Sequence, residues 1–164
     1  MKFIKEFVPY VIIFIVVVLI RSFIVTPIRV DGHSMDPTLQ DGEILLLKKY
    51  QKNYERFSIV VVHYENSKLI KRIIGLPGEH IRYENNALYV NGVKVEENFI
   101  DTTTSYFDIK NMGYDTIPEN YYFVVGDNRN NSTDSRIIGF IPKEDIYGVA
   151  DFVLFPFTSF GKIN

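Results

Sequence analysis

Residues 7–20, FVPYVIIFIVVVLI, carry no charge, and after Arg21 a second uncharged run, SFIVTPI, carries the apolar segment on to residue 28. A bilayer core is crossed by about 20 apolar residues, so residues 7–28 are long enough to span one if Arg21 snorkels to the outer headgroups. In lipid such a segment is a helix, because each backbone N–H and C=O must find its partner within the segment. A cleavable secretory leader would share the short positive start made by Lys2 and Lys5. The exit sequence RSFIVTPIR, however, lacks the pair of small residues that a cleavage site requires. A buried core helix is disfavoured too, since nothing downstream is long enough to sheath a helix this apolar. Lys2, Lys5 and the terminal amine predict a cytoplasmic N-terminus and an exported remainder. The expected division is a stub and anchor over residues 1–28 and one extracytoplasmic domain over residues 29–164.

Length agrees with that division, because 164 residues hold one modest domain and a short appendage. A net charge of -2, from 18 basic and 20 acidic residues, leaves no electrostatic footprint for nucleic acid. With no cysteine there is no thiol catalysis, thiolate metal site or disulfide. Beyond Arg29 the chain turns to short runs of Val, Ile, Tyr and Phe punctuated by Gly, Asn, Asp and Pro, the texture of a mainly β domain. Strands are expected at residues 43–48, 59–64, 68–75, 81–84, 87–90, 93–95, 121–125 and 148–154. Asn91-Gly92, between ALYV and VKV, marks a hairpin because both residues tolerate positive φ. Residues 96–120 are polar and turn-rich and are expected to form a long surface excursion. The aromatic tail, residues 152–164, fits either a core strand or an apolar surface resting on lipid.

Two loops, VDGHSMDPTL at residues 30–39 and GDNRNNSTDSRIIG at residues 126–139, hold most of the unusual residues, and a basic pair, Lys71-Arg72, interrupts the apolar strand between them. Side chains alternate along a strand, so Leu69, Lys71 and Ile73 share one face and Ile70, Arg72 and Ile74 the other. One of the two cations therefore points inward unless both reach water along a sheet edge. An inward lysine would be desolvated, its ammonium disfavoured and its pKa lowered, which is the condition for an amine base near neutrality. Ser34 sits in a Gly-containing turn where a hydroxyl can be exposed and amides can face an oxyanion. Its partner is not an obvious histidine: His33 is its sequence neighbour, and His63 and His80 read as edge or surface residues. The G-x-S-x-G elbow is also absent. That leaves lysine as the base.

Four boxes then occur in order: Ser34-Met35-Asp36-Pro37-Thr38-Leu39, Asp41-Gly42-Glu43-Ile44, residues 71–79 (KRIIGLPGE) and residues 126–136 (GDNRNNSTDSR), all behind an apolar N-terminal segment. In this the chain resembles the bacterial type I signal peptidases over nearly its whole length. The resemblance implies a signal peptidase I-like antiparallel β domain with one N-terminal transmembrane helix. It implies a serine endopeptidase that cleaves after a small-x-small motif and frees exported preproteins from their signal peptides. It assigns Ser34 as nucleophile, Lys71 as general base, Ser132 as the group that orients the lysine, and Arg72, Asp127, Asp134 and Arg136 as a supporting charged cluster. It places Met35 among apolar residues near the membrane. It implies no metal or other cofactor, with signal peptides and the lipid bilayer as partners. The 127–134 loop does not make a calcium site, since Arg129 stands at the third position and Ser132 where glycine is required.

The chain departs from the family pattern at Gly32, where some relatives carry a serine that assists the oxyanion hole, and at Asn130, where aspartate is common. It also lacks the large inserted domain of some relatives. Two other classes compete: a self-cleaving Ser/Lys protein like the SOS repressors, which lack a membrane anchor, and an inactive membrane-tethered relative serving as a binding or assembly factor. Joint retention of Ser34, Lys71 and Ser132 weighs against the latter.

Overall fold

The computed structural model describes residues 2–50, 53–100 and 102–163, and within the N-terminal helix it describes the side chains of residues 7–18. The expected roles of Lys2, Lys5 and Arg21 lie outside the described side chains. Helix α1 (Lys2–Phe23) is followed by twelve strands: β1 (Val25–Arg29), β2 (Ile44–Lys48), β3 (Ile59–Tyr64), β4 (Ser67–Gly75), β5 (Ile81–Glu84), β6 (Ala87–Val90), β7 (Val93–Val95), β8 (Phe107–Asp108), β9 (Tyr121–Val125), β10 (Ile141–Pro142), β11 (Ile146–Phe155) and β12 (Gly161–Lys162). A single-turn helix, α2 (Ser135–Ile138), lies between β9 and β10. The pairings are antiparallel. One sheet runs β1-β2-β11-β3-β4-β9-β10 with β12 added to β11, and the other runs β7-β6-β5-β8.

The apolar N-terminal run is not helical to residue 28. It ends at Phe23, and residues 25–29 pair with β2 as an edge strand, from Val25↔Lys48 to Arg29↔Ile44. Pro27 is the physical reason: it has no N–H to give a helix and disfavours helical geometry at Thr26, whereas an edge strand tolerates it. On α1 the apolar side chains of residues 7–18 are exposed. Among the described residues, no helix is long and apolar enough to cross a membrane.

Strand alternation builds the core. Ile59 and Val61 of β3 join Leu45, Leu47, Met35 and Ile70 in one cluster, while Val60 and Val62 join Ile73, Val124 and Val149 in another. A third cluster, between the two sheets, centres on Phe123, Tyr83, Ile81 and Ile74. Asn91 and Gly92 take positive φ of 51° and 81° and close the β6–β7 hairpin with Val90 opposite Val93. Asn85 and Asn86, at φ 50° and 60°, turn β5 into β6 in the same way. The polar excursion is not purely a surface loop, because Ile109 and Ile117 are fully buried in the third cluster. The tail divides: Val153 is in the core, whereas Phe155, Phe157 and Phe160 are exposed.

Phe123 is buried and packs 5.3 Å from the ring of Phe107, so Phe123→Ala is expected to lower unfolding stability by about 3–5 kcal/mol. Urea denaturation followed by circular dichroism measures the loss.

Candidate active site

The turn that carries Ser34 is held from below. Met35 and Leu39 are buried in the first core cluster with Val30, and Leu39 N–H donates to Met35 O at 3.0 Å. With Met35 and Leu39 plugged into the core, Ser34 is left half-buried at the rim. Met35, at 1% exposure, therefore plugs the Ser34 turn into the core. Gly32 turns the chain at φ +91°, where any other residue would be strained, and its N–H is bound to Asp41 Oδ1 at 2.8 Å. That amide is already committed. Among the described residues no hydrogen bond engages the Ser34 N–H, which leaves it available to a developing oxyanion.

Strand β4 lies inside the sheet, and it buries both members of the basic pair: Lys71 is 2% exposed and Arg72 4%. The alternative that both reach water is excluded; both point inward, because apolar clusters cover both faces of the sheet here. Arg72 forms a buried bidentate pair with Asp127, Nε to Oδ1 at 2.9 Å and Nη2 to Oδ2 at 2.7 Å. Its Nη1 donates to Phe57 O, and its guanidinium lies 3.9 Å from the centre of the Phe99 ring. Such saturation is what makes a buried charge tolerable.

Among the described residues, Lys71 has no carboxylate partner of this kind. Its Nζ donates to Ser34 Oγ at 2.7 Å and to Ile70 O at 2.9 Å. Burial lowers its pKa from the ordinary 10.5 to about 8, against the opposing pull of the more distant Asp134 and Asp127 carboxylates. About one-tenth of the amine is then neutral at pH 7, against a negligible share for an ordinary lysine, with its lone pair beside the Ser34 hydroxyl. The histidines do other work: His33 Nδ1 contacts Asp36, His80 Nε2 contacts Asp108, and His63 packs edge-on against Tyr147.

The 126–139 loop closes over this pair. Asn128 N–H and Nδ2 donate to Ser34 O and His33 O, both at 3.0 Å, tying the loop to the Ser34 turn. Gly126 permits the approach, since a Cβ there would collide with Ser132 Oγ and Ser34 O. Ser132 Oγ is buried and bears on the Asp134 carboxylate, whose pKa it helps to lower; it does not bond Lys71 in this structure. Asp134, fully buried, accepts from Gly126 N, and its carboxylate pairs with Arg136 at 2.9 and 2.8 Å. These bonds hold its pKa low despite burial. The sequence reading missed a second anchor. Arg129, 3% exposed, donates to Glu97, Tyr83, Thr104 and Gly126 O, pinning the loop to the smaller sheet. Its one sequence signal was an arginine inside a turn-rich loop.

A cleft of about 250 Å³ opens at the pair, between residues 28–31 with Ser34 and Met35 on one side and residues 68–71 on the other. β4 pairs with β3 from Ser67 to Arg72 but with β9 only from Arg72 onward, so its second edge is open along this cleft.

A serine hydroxyl held against a buried lysine amine, at an open strand edge of an antiparallel β domain, defines a serine peptidase class that uses lysine in place of histidine. Residues 3–155 match the family model described as "Signal peptidase, peptidase S26", and the chain belongs to that family. It is similar to signal peptidase I of Bacillus amyloliquefaciens, with 41% identity over 90% of this chain and 85% of the relative. It is also similar to signal peptidase I S of Bacillus subtilis strain 168, with 40% identity over 94% and 90%, and to signal peptidase IB of Staphylococcus aureus, with 37% over 90% and 86%. A crystal structure of a signal peptidase I from Enterococcus faecalis V583 superposes with a TM-score of 0.57 at 34% identity, covering 59% of this chain and 96% of the other.

The depressed Lys71 pKa has a stability consequence. Between about pH 8 and 10.5 the unfolded lysine binds more protons than the folded one, so this group makes stability rise with pH across that window. Below it, the protein carries the whole cost of a buried ammonium. Lys71→Met is therefore expected to be more stable than the parent at pH 7, by up to roughly 3 kcal/mol, with the advantage shrinking toward pH 10.5. Paired denaturation curves at pH 7 and pH 10 measure it.

Proposed function

We propose that this chain removes N-terminal signal peptides from exported preproteins, with Ser34 as nucleophile and Lys71 as general base. The observation that carries this is the 2.7 Å contact between Lys71 Nζ and Ser34 Oγ at an open cleft. The neutral amine accepts the Ser34 proton as Oγ attacks the scissile carbonyl carbon. The resulting oxyanion is met by the Ser34 backbone N–H. Collapse breaks the C–N bond, and the Lys71 ammonium returns its proton to the departing amine of the mature chain. Water deprotonated by Lys71 then hydrolyses the ester, freeing the signal peptide's carboxylate and regenerating Ser34.

Ser132 is assigned to orienting the Lys71 amine: its hydroxyl is buried beside Gly126, in the loop that closes over Lys71. Arg72–Asp127 and Asp134–Arg136 brace the strand and the loop on which these groups stand. The substrate's extended end adds to the open edge of β4 near residues 68–70, as an edge strand would. Ile28, Val30, Met35 and Ile70 then bound a cleft small enough to favour small side chains on either side of one intervening residue. Helix α1, with its exposed apolar face, is assigned to a membrane anchor with a cytoplasmic N-terminus, and the β domain from β1 onward to a catalytic domain on the outer face. The exposed Phe155, Phe157 and Phe160 fit a lipid-resting rim.

The test is cleavage of a preprotein carrying an Ala-x-Ala site by the detergent-solubilised chain. Ser34→Ala and Lys71→Ala are each expected to lower kcat/KM by at least roughly 10³-fold. Because only the neutral amine is active, parent kcat/KM should climb about tenfold per pH unit below pH 8 and flatten above it. An inactive parent, or a Lys71→Ala variant at full rate, overturns the reading.

A further inference from the structure

We infer that Lys49 and Lys68, gathered on the ring of Tyr147 where α1 gives way to the sheet, form a binding site for the phosphate headgroup of an anionic lipid. This rests on the proposed anchoring by α1. Position comes first. Lys49 N–H donates to Ile24 O at 3.0 Å, and Lys48 pairs with Val25, so Lys49 stands one residue from the helix exit. Lys68, the second residue of β4, lies opposite His63 of β3, and Tyr147 lies on β11 between residues that pair with Val62 and Val61 of β3. Three segments distant in sequence thus converge at one corner of the larger sheet.

The side chains converge as well. Lys49 Nζ is 5.0 Å and Lys68 Nζ 4.4 Å from the Tyr147 ring centroid, and the His63 ring lies edge-on to the same phenol at 5.2 Å. Two ammoniums so close to one centroid are at most twice that distance apart. Each raises the potential at the other, and a phosphate placed between them reverses that repulsion. The bond from Lys49 and the charges of both lysines draw the Tyr147 phenol below its ordinary pKa, as a positive pocket should.

A lipid phosphate is favoured over an acidic peptide by level. The site adjoins the end of a helix whose described apolar side chains are exposed, and a tyrosine between lysines suits the headgroup layer. Its consequence is orientation. Lys68 also borders the Ser34 cleft, and Tyr147 packs on the same core cluster as Ile28 and Ile70. A headgroup clamped there would fix the cleft at the bilayer surface, where a membrane-bound substrate presents its cleavage site.

Hydrogen–deuterium exchange of the full chain tests this in nanodiscs of phosphatidylcholine alone and with about one-third phosphatidylglycerol, an anionic fraction that makes each lysine worth roughly fivefold in affinity. Phosphatidylglycerol should slow exchange several-fold in peptides covering residues 45–50 and 62–70, and the effect should vanish in Lys49→Gln/Lys68→Gln. Equal exchange in the two lipids, or protection that survives the double substitution, overturns the headgroup site while leaving the anchor intact. Equal protection by inorganic phosphate in phosphatidylcholine discs overturns the lipid assignment, and so does protection produced only by an acidic peptide. A chain that enters neither disc overturns the anchor, and the headgroup site with it.

Discussion

A lysine amine kept out of water beside a serine hydroxyl is the constraint around which this domain is arranged. Desolvation makes the ammonium costly, and the protein accepts that cost at Lys71 while relieving it at the adjacent position, where Arg72 is saturated by Asp127, Phe57 O and the Phe99 ring. Neighbours on one strand thus receive opposite treatment. A carboxylate bonded directly to Lys71 would stabilise the ammonium and remove the base; Asp127 and Asp134 act on it only from a distance, each occupied by an arginine of its own.

That arrangement explains the glycine and the arginines of the 126–139 loop. Gly126 lets the loop backbone reach the Ser34 turn, Asn128 ties the two together, and Arg129 fastens the loop to Tyr83 on the second sheet and to Glu97 just beyond it. The smaller sheet therefore supports the site although it contributes neither Ser34 nor Lys71. Met35 does the corresponding work beneath Ser34, as a core plug one residue from the hydroxyl it exposes.

Much of this was legible in the sequence, for identifiable reasons. Period-two apolar runs and the Asn91-Gly92 turn marked strands within a residue or two, because local chemistry decides them. The Ser34–Lys71 contact was legible as chemistry, since a serine in a glycine turn without a suitable histidine needs another base, and the ordered boxes gave the partner. Three things were not. Edge strand β1 was hidden in an apolar run whose composition says helix until Pro27 is weighed. The Arg129 network joins residues 32 and 46 positions apart, a separation that no periodicity reports. Burial of both Lys71 and Arg72 depends on a sheet covered on both faces, which alternation along one strand cannot reveal.

The chain contains no cysteine, so Lys71→Cys would introduce a single thiol whose aminoethylation rebuilds a lysine-like amine at that one position. The decisive measurement is kcat/KM against pH for the unmodified and the aminoethylated variant, alkylated while unfolded and then refolded. The account predicts an inactive thiol form, activity restored by the amine, and a rise with pH displaced to lower pH because sulfur in the chain weakens the base. A correctly folded aminoethylated protein that stays inactive, or one whose pH profile does not move, would contradict it.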